Sequence, residues 1–282
     1  MSIARWFQIR LVLPLNLYRL ARKFIISVIS QARFMRAFLY ALNELWVSFM
    51  DKHPVLYSYR RCPYAMRARI GIYLSGIQVE QREIVFWDKP EVMLQASPKG
   101  TVPVLVLSDG QVIDESRDIL FWAIQNRLDG EQGLLPARHL TEINRWIDEN
   151  DDFFKLWLDK YKYSDRFPEQ PQSHYREKGE VFLQSIEQAL AKSVYLLGNN
   201  LTVADIALFP FVRQFSNVDK KWFAEANYPH LKRWLERHLK ADYFLAIMKN
   251  RPVWEPGHKA LWLDEPDLAT KDQFRVKAIE SI

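Results

Sequence analysis

Cys62 is the only thiol in this chain of 282 residues. It follows a short β-rich run, Val55–Tyr59, and precedes residues 63–76, whose apolar spacing predicts a helix. Unpaired N–H groups and the positive end of the dipole at a helix start favour a thiolate, and Arg60 and Arg61 add positive charge. Cys62 is therefore expected to be a reactive nucleophile, and the alternative is a buried, inert cysteine.

Two later segments place polar groups beside predicted strands. Pro103 opens the apolar run Val104–Leu107, where an ordinary trans proline at an edge strand is the alternative to a special backbone geometry. Glu115 and Ser116 lie at the start of a predicted helix. Glu115 can bind an ammonium group, and the N–H and hydroxyl of Ser116 can bind a carboxylate. A simple cap formed by Ser116 is compatible with that role.

The elements that must position these groups alternate between strands and helices. Strand patterns and turn residues predict the order β-α-β-α-β-β-α, which is that of a thioredoxin-like domain. The predicted elements are strands at Val55–Tyr59, Val79–Phe86, Val104–Leu107 and Gln111–Ile113, and helices at residues 63–76, just after Pro90, and at Ser116–Asn126.

Everything after the linker at residues 129–137 has helical patterning. An amphipathic helix is predicted from Ile143 through Leu158, and another from about Glu177 to Ala191. Thr202 and Asp205 have the spacing of a capping box at the start of a further helix. The sequence thus predicts a thioredoxin-like domain followed by an all-α domain.

The motif Cys62-Pro63-Tyr64-Ala65 resembles the active-site motif of glutaredoxins and of omega-type glutathione transferases. The resemblance extends over residues 54–245 and implies a bacterial-type, cysteine-nucleophile member of the cytosolic-type glutathione transferase superfamily. Position 65 is Ala, so a second motif cysteine is absent. The resemblance therefore implies monothiol exchange, in which Cys62 forms a mixed disulfide with glutathione and a second glutathione releases it.

The resemblance also assigns residues to glutathione, the expected co-substrate. Val102, before a cis Pro103, would pair through its backbone with the cysteinyl part. Glu115 and Ser116 would hold the γ-glutamyl end, and Lys89 would meet the glycyl carboxylate, although Lys89 alone is as readily a solvated surface lysine. The remaining residue assigned to glutathione binding is Tyr64, inside the cysteine motif.

The second substrate is expected between Cys62 and the helical domain. The aromatic candidates to line its site are Tyr64, Trp157, Tyr161 and Tyr163, for each of which core or interface packing is the alternative. Glutathionylated small molecules, glutathionylated proteins and dehydroascorbate are the expected substrates, with conjugation to electrophiles as a second activity. The alternative function is a non-catalytic interaction module that reuses the fold. No zinc-like spacing of Cys and His occurs, so no metal is expected.

Residues 1–49 differ in composition from the rest of the chain. They hold seven basic residues against one acid, a net charge of +6, so the remaining residues sum to −1. A nucleic-acid partner is therefore not expected. The segment is expected to lie outside the fold, either as a basic amphipathic helix contacting an anionic membrane surface or as no part of the working protein, with Met50 as the start.

The expected organisation is an extension at 1–49, a thioredoxin-like domain at 50–128, an all-α domain at 138–250 and a tail at 251–282. The single cysteine fits a reducing compartment, and a cytoplasmic location is expected. The resemblance further implies a homodimer.

Overall fold

The computed structural model describes residues 53–130 and 133–265. The extension at residues 1–49 and the end of the tail at 266–282, on which some of the expectations fall, lie outside the described residues. Within the described ranges, no helix is long and apolar enough to cross a membrane.

The first domain is built on a four-stranded sheet with the order β2-β1-β3-β4. Strand β1 pairs in parallel with β2 and antiparallel with β3, and β3 pairs antiparallel with β4. The thioredoxin-like arrangement expected from the sequence is confirmed. Its strands are β1 (Val55–Ser58), β2 (Glu80–Glu83), β3 (Val104–Val106) and β4 (Val112–Ile113), and its helices are α1 (Pro63–Ser75), α2 (Glu91–Ala96) and α3 (Ser116–Gln125).

Helix α1 has clear start and stop signals. Pro63 occupies the first turn, where a missing N–H has no partner to lose, and Gly76 ends the helix with a left-handed φ of 72°. Gly71 lets α1 approach α3, because a Cβ at this position would lie 2.7 Å from the Leu120 side chain and 3.2 Å from its Cα. This close packing fixes the position of the helix that begins directly after Cys62.

The second domain is helical, as the sequence predicts. A π-helical segment, Glu149–Phe154, interrupts the helix expected from Ile143 through Leu158, and the helix expected from Glu177 begins earlier, at Gln172. The α-helices are α4 (Leu140–Asp148), α5 (Lys155–Lys162), α6 (Gln172–Leu190), α7 (Val203–Ser216), α8 (Lys220–Glu225), α9 (Pro229–Leu239) and α10 (Asp242–Ile247), with short 3-10 turns at Ala137–His139 and Ser164–Arg166.

The capping box at the start of α7 is present. Asp205 is fully buried and accepts hydrogen bonds from Thr202 N at 3.1 Å, Thr202 Oγ1 at 3.0 Å, Leu196 N at 2.9 Å and Trp234 Nε1 at 2.9 Å. Since these donors come from the preceding loop and from α9, the box also ties α7 to its neighbours. Asp205 is structural, as the sequence indicates.

The tail after residue 250 packs on the first domain. Its residues pair with the outer edge of β2 through Trp254 N to Glu83 O at 2.8 Å, Gln81 N to Leu261 O at 2.7 Å and Leu263 N to Val79 O at 3.1 Å. The Arg82 guanidinium stacks over Trp254 at 4.4 Å. The described part of the tail therefore covers the sheet edge that β2 would otherwise expose.

Candidate active site

Cys62 lies at the start of α1, between the two domains. It is the residue before the first helical turn, with φ −76° and ψ 124°, and it is partly exposed. Its Sγ lies 3.9 Å from the carbonyl oxygen of Val102. The Val102–Pro103 peptide bond is cis, as the resemblance implies. The structure thus brings together the thiol and the backbone that the sequence singled out.

Burial raises the pKa of the Cys62 thiol above its ordinary value. The N–H groups of Ala65 and Tyr64 and the charges of Arg69 and Lys155 pull the pKa down but do not offset the loss of hydration. The N–H groups at the helix start therefore lower the pKa of Cys62, as expected, but burial raises it by more. Burial of Cys62 therefore opposes the thiolate that the helix start favours.

The cations that act on Cys62 are not the two that precede it. Arg61 donates to the Tyr59 hydroxyl at 3.1 and 2.7 Å, and the Arg60 side chain donates to Asn250, the residue before the tail. Arg69, fully buried on α1, donates instead to the carbonyl oxygens of Tyr59 at 3.2 Å and Arg60 at 2.8 Å. Arg69 therefore holds the backbone of the turn before Cys62. Together with Lys155, it also supplies the positive charge that acts on the Cys62 thiol.

The raised pKa of Cys62 predicts how alkylation by iodoacetamide depends on pH. Because only the thiolate reacts, the rate should rise about tenfold per pH unit from pH 6 to 8, without a plateau. Free glutathione in the same buffers is the control for the reagent. A plateau below pH 7 would show a thiolate stabilised at neutral pH and would contradict the dominance of burial.

The acidic pair before α3 is held by Lys99 from the loop before β3. Lys99 Nζ lies 2.6 Å from Glu115 Oε1 and 3.1 Å from Asp114 Oδ1. Asp114 also accepts from Ser97 Oγ at 2.7 Å, which lowers the pKa of its carboxyl. Glu115 is exposed, and a bridge between such side chains is weak, so Glu115 is available to a ligand's ammonium group.

Ser116 is buried and tied to the helical domain. Its Oγ accepts from Arg67 Nη1 at 3.3 Å, and Arg67 forms two bonds with Asp151 in the π-helical segment, at 2.8 and 2.6 Å. Arg67 also donates to the carbonyl oxygen of Ala207 on α7 at 3.1 Å. The position of the Ser116 hydroxyl is thus set by an ion pair between the two domains.

Lys89 lies in the loop after β2, within reach of the backbone before β3. A Cβ at Gly100 would lie 3.4 Å from Lys89 Nζ, and Gly100 has a φ of 61°. The Lys89 ammonium group therefore lies close to the backbone at Gly100, the residue after Lys99.

A cleft of about 550 Å³ opens beside Cys62 between the two domains. Tyr64 and Tyr163, two of the aromatic candidates, line it. The Tyr64 ring meets Phe211 edge-on at 4.9 Å, and Lys155 Nζ lies 5.5 Å from its centre. The full lining is Tyr59, Arg61, Cys62, Pro63, Tyr64, Phe86, Lys155, Asp159, Lys162, Tyr163 and Gln214.

The other two aromatic candidates, Trp157 and Tyr161, do not line this cleft. Tyr161 is only 1% exposed and packs on Phe215 at 4.8 Å. Trp157 stacks on Tyr175 of α6 at 6.4 Å. A helix carries its side chains on several faces, and these two positions of α5 point into the helical core. Core packing explains both residues better than contact with a second substrate.

Three charged residues that contact or act on the candidate site, Arg67, Arg69 and Lys155, were not predicted from the sequence. A signal existed for two of them, because Arg67 and Arg69 interrupt an otherwise apolar helix, and buried charges require partners. Lys155 had no such signal. Within residues 53–130 and 133–265, no group of three His, Cys, Asp or Glu side chains could hold a metal ion.

Two segments of the chain match protein-family models. Residues 56–129 match the glutathione S-transferase N-terminal domain, and residues 174–237 match the glutathione S-transferase C-terminal domain. The solved structure of a glutathione transferase family member from Pseudomonas fluorescens Pf-5, with two glutathione bound, superposes with a TM-score of 0.59. It is 19% identical and covers 69% of this chain and 91% of its own, so it shows the fold.

Two curated relatives of similar sequence identity to this chain carry different names, a transferase and an elongation factor. Glutathione S-transferase omega-1 of Sus scrofa is 26% identical over 187 residues, which are 66% of this chain and 76% of that protein. Elongation factor 1-gamma of Drosophila melanogaster is 25% identical over 229 residues, covering 79% of this chain but 51% of the factor, so the chain spans about half its length. The two domain models match in the family's order, and together with these relatives they support membership of the glutathione S-transferase superfamily.

Proposed function

We propose that the protein is a glutathione-dependent thiol transferase with Cys62 as its nucleophile. One observation carries the proposal: the Cys62 Sγ lies at the start of α1, 3.9 Å from the carbonyl oxygen of Val102 before a cis proline, inside a glutathione transferase fold. The likeness to an omega-1 transferase supports a cysteine mechanism. Glutathione is the co-substrate, and the solved relative with two glutathione bound supports this choice.

The reaction consists of two thiol–disulfide exchanges. The Cys62 thiolate attacks the glutathione sulfur of a mixed disulfide, the S–S bond breaks, and the other thiolate leaves and takes up a proton. Cys62 then carries glutathione in a new disulfide. A second glutathione thiolate attacks that glutathione sulfur and releases the Cys62 thiolate with oxidised glutathione. The overall change is one mixed disulfide plus glutathione to one thiol plus oxidised glutathione.

The residues around Cys62 would hold glutathione along its length. The Val102 backbone pairs with the cysteinyl part, and Pro103 and Tyr64 shape the walls beside the sulfur. Glu115 binds the ammonium group and Ser116 the carboxylate of the γ-glutamyl end, while Lys89 meets the glycyl carboxylate. Glutathionylated small molecules or proteins and dehydroascorbate are the substrates, in a cytoplasmic homodimer, and residues 1–49 are proposed to contact a membrane surface.

Reduction of β-hydroxyethyl disulfide by glutathione tests this function directly. The full chain should consume glutathione in proportion to protein concentration, and the rate should rise with pH as more Cys62 ionises. Conjugation of an electrophilic aryl halide in the same buffer should be slower, since a cysteine nucleophile forms a disulfide with glutathione. Absence of disulfide reduction at any pH from 6 to 9 would overturn the proposal.

Glu115→Gln should weaken glutathione binding without destabilising the fold. Loss of a charge-assisted bond to the ligand's ammonium group should reduce the affinity by about 1.5–3 kcal/mol, roughly tenfold to a hundredfold. The melting temperature should change little, because the bridge to Lys99 is exposed. Titration calorimetry and thermal melting measure the two effects. Asp118→Asn, an exposed acid on the same helix, is the matched control, and equal affinities for both variants would remove Glu115 from the site.

A second candidate function is a non-catalytic interaction module. The likeness to elongation factor 1-gamma over 79% of the chain favours it, as does the raised pKa of the Cys62 thiol. Glutathione binding by the full chain discriminates the two candidates. A chain that neither binds immobilised glutathione nor reduces β-hydroxyethyl disulfide would fit the interaction module.

A further inference from the structure

A second cavity, of about 430 Å³, adjoins the cleft beside Cys62. The two cavities share Arg61, Lys162 and Gln214, so a molecule that reaches the thiol through the cleft can extend into the second cavity. We call this second cavity the basic annex. It is lined by Arg61, Lys162, Gln172, Arg213, Gln214, Asn217 and Val218.

The basic annex has three cations and no acid in its lining. Within the described part of the chain, Arg61 donates to the neutral hydroxyl of Tyr59, and Lys162 donates to that of Tyr163 at 2.8 Å. No carboxylate of the described ranges lies within 4 Å of either cation or of Arg213. Among residues 53–130 and 133–265, no carboxylate therefore neutralises the positive charge of the annex.

In the cleft beside Cys62, by contrast, the lining includes a carboxylate that pairs with a cation. Its additional cation, Lys155, pairs with Asp159, which also lines the cleft. The remaining lining beside the thiol is largely aromatic, with Tyr59, Tyr64 and Phe86. The joined cavities thus present an aromatic passage at the sulfur and an unneutralised basic region farther away.

Arg213 is the strongest sign that the annex holds an anion. It is half-buried on α7, stacks over the ring of Phe244 at 5.3 Å, and burial lowers the pKa of its guanidinium. Two other half-buried arginines of the described ranges have carboxylate partners, Arg82 with Glu80 at 2.7 Å and Arg176 with Glu180 at 3.2 Å. Dehydrating a guanidinium is unfavourable unless a charge or acceptor compensates, and a bound carboxylate would do so.

We propose that the second substrate is a mixed disulfide whose non-glutathione half is a small organic acid, with its carboxylates bound by Arg61, Lys162 and Arg213. The inference rests on the proposed thiol transferase function and names the substrate class of that site. Cys62 attacks the glutathione sulfur, the organic acid leaves as a thiolate and takes up a proton, and glutathione stays on Cys62. A second glutathione completes the exchange as described above.

A series of glutathione mixed disulfides that differ in charge tests the proposal. Glutathione disulfide-bonded to cysteamine, 2-mercaptoethanol, 3-mercaptopropionate or mercaptosuccinate offers a cationic, neutral, singly acidic or doubly acidic half of similar size. The value of kcat/KM should rise in that order, with the doubly acidic substrate preferred over the neutral one by about tenfold. The preference should decline as salt is added, because the exposed cations are screened.

Single variants test whether the basic annex causes the preference for the doubly acidic substrate. Lys162→Gln and Arg213→Gln should each remove most of the preference for the doubly acidic substrate, mainly through KM. Lys192→Gln removes an exposed lysine of the helical domain outside both cavities and should keep the preference. Since Arg213→Gln can weaken packing on Phe244, the exposed Lys162 position gives a reading that does not depend on folding.

The outcomes separate this inference from the proposed function. Turnover of all four disulfides at similar rates, or a preference that survives in Lys162→Gln and Arg213→Gln, would overturn the anionic substrate while leaving the thiol transferase intact. No turnover of any disulfide by the native chain would overturn the thiol transferase, and with it this inference.

Discussion

Cys62→Ser is expected to lower the rate of glutathione-dependent disulfide reduction by about 10³-fold or more. Cys62 is the only thiol of the chain, so no other side chain can form the mixed disulfide with glutathione. A serine hydroxyl is not ionised at neutral pH and forms no such bond. Initial rates of β-hydroxyethyl disulfide reduction measure the effect. Retention of the native rate would remove Cys62 from the mechanism.

The control for this variant is its folding and its affinity for glutathione. The contact of the Cys62 Sγ with the Val102 carbonyl is long, at 3.9 Å, and serine can accept from the same N–H groups at the helix start. The melting temperature and the binding of reduced glutathione should therefore stay close to those of the native chain. Mass spectrometry after exposure to oxidised glutathione should show one glutathionyl group on the native chain and none on the variant.

The sequence predicted those parts of the site that depend on neighbours along the chain. Cys62 before Pro63 marks the start of α1 through local residues alone. Thr202 and Asp205 form the capping box of α7 within one helical turn. The order of strands and helices along the first domain also followed from short local patterns and turn residues. In each case the interaction that decides the geometry joins residues only a few positions apart.

The predictions failed where geometry depends on residues that are distant in sequence. Arg60 and Arg61 adjoin Cys62 in the chain, but their side chains turn to Asn250 and Tyr59, and the buried Arg69 and the distant Lys155 act on the thiol instead. Aromatic character could not separate Tyr163, in the cleft, from Tyr161, in the core. Which face of a helix meets the other domain is a tertiary property.

The position of the tail in the fold could not be predicted from sequence for the same reason. Its pairing with β2 joins residues more than 150 positions apart, and no local pattern gives that register. The apolar residues of the segment, such as Trp254 and Leu261, were the available signal for packing. They indicated that the segment is buried somewhere, without indicating where.

Arg67 should have the largest effect on stability among the residues of the site. Its side chain is fully buried, stacks over Phe211 at 4.6 Å and joins α1 to Asp151 and to the Ala207 carbonyl. Arg67→Met keeps much of the aliphatic length but leaves the Asp151 carboxylate and the Ala207 carbonyl without their donor. Removing one partner of such a buried pair costs about 3–5 kcal/mol. Asp151 is 25% exposed and can recover some water, so the lower end of that range is expected.

Urea unfolding measures this loss, and Arg117→Met is the matched control. Arg117 also connects the two domains, through Asp148 and Asn144, but its ion pair is exposed, and its removal should change the unfolding free energy by less than about 1 kcal/mol. If the two variants lose equal stability, the Arg67 pair is no stronger than a surface bridge.

A double variant separates the attraction between Arg67 and Asp151 from the cost of leaving one buried charge unpaired. When Arg67→Met is combined with Asp151→Leu, no unpaired carboxylate remains, so much of the lost stability should return. Glutathione affinity should not return with it, because the Ser116 hydroxyl still lacks the Arg67 donor that orients it at 3.3 Å. Recovery of stability without recovery of affinity would show that the buried pair serves the position of Ser116 more than the stability of the fold. Recovery of both would make Arg67 purely structural.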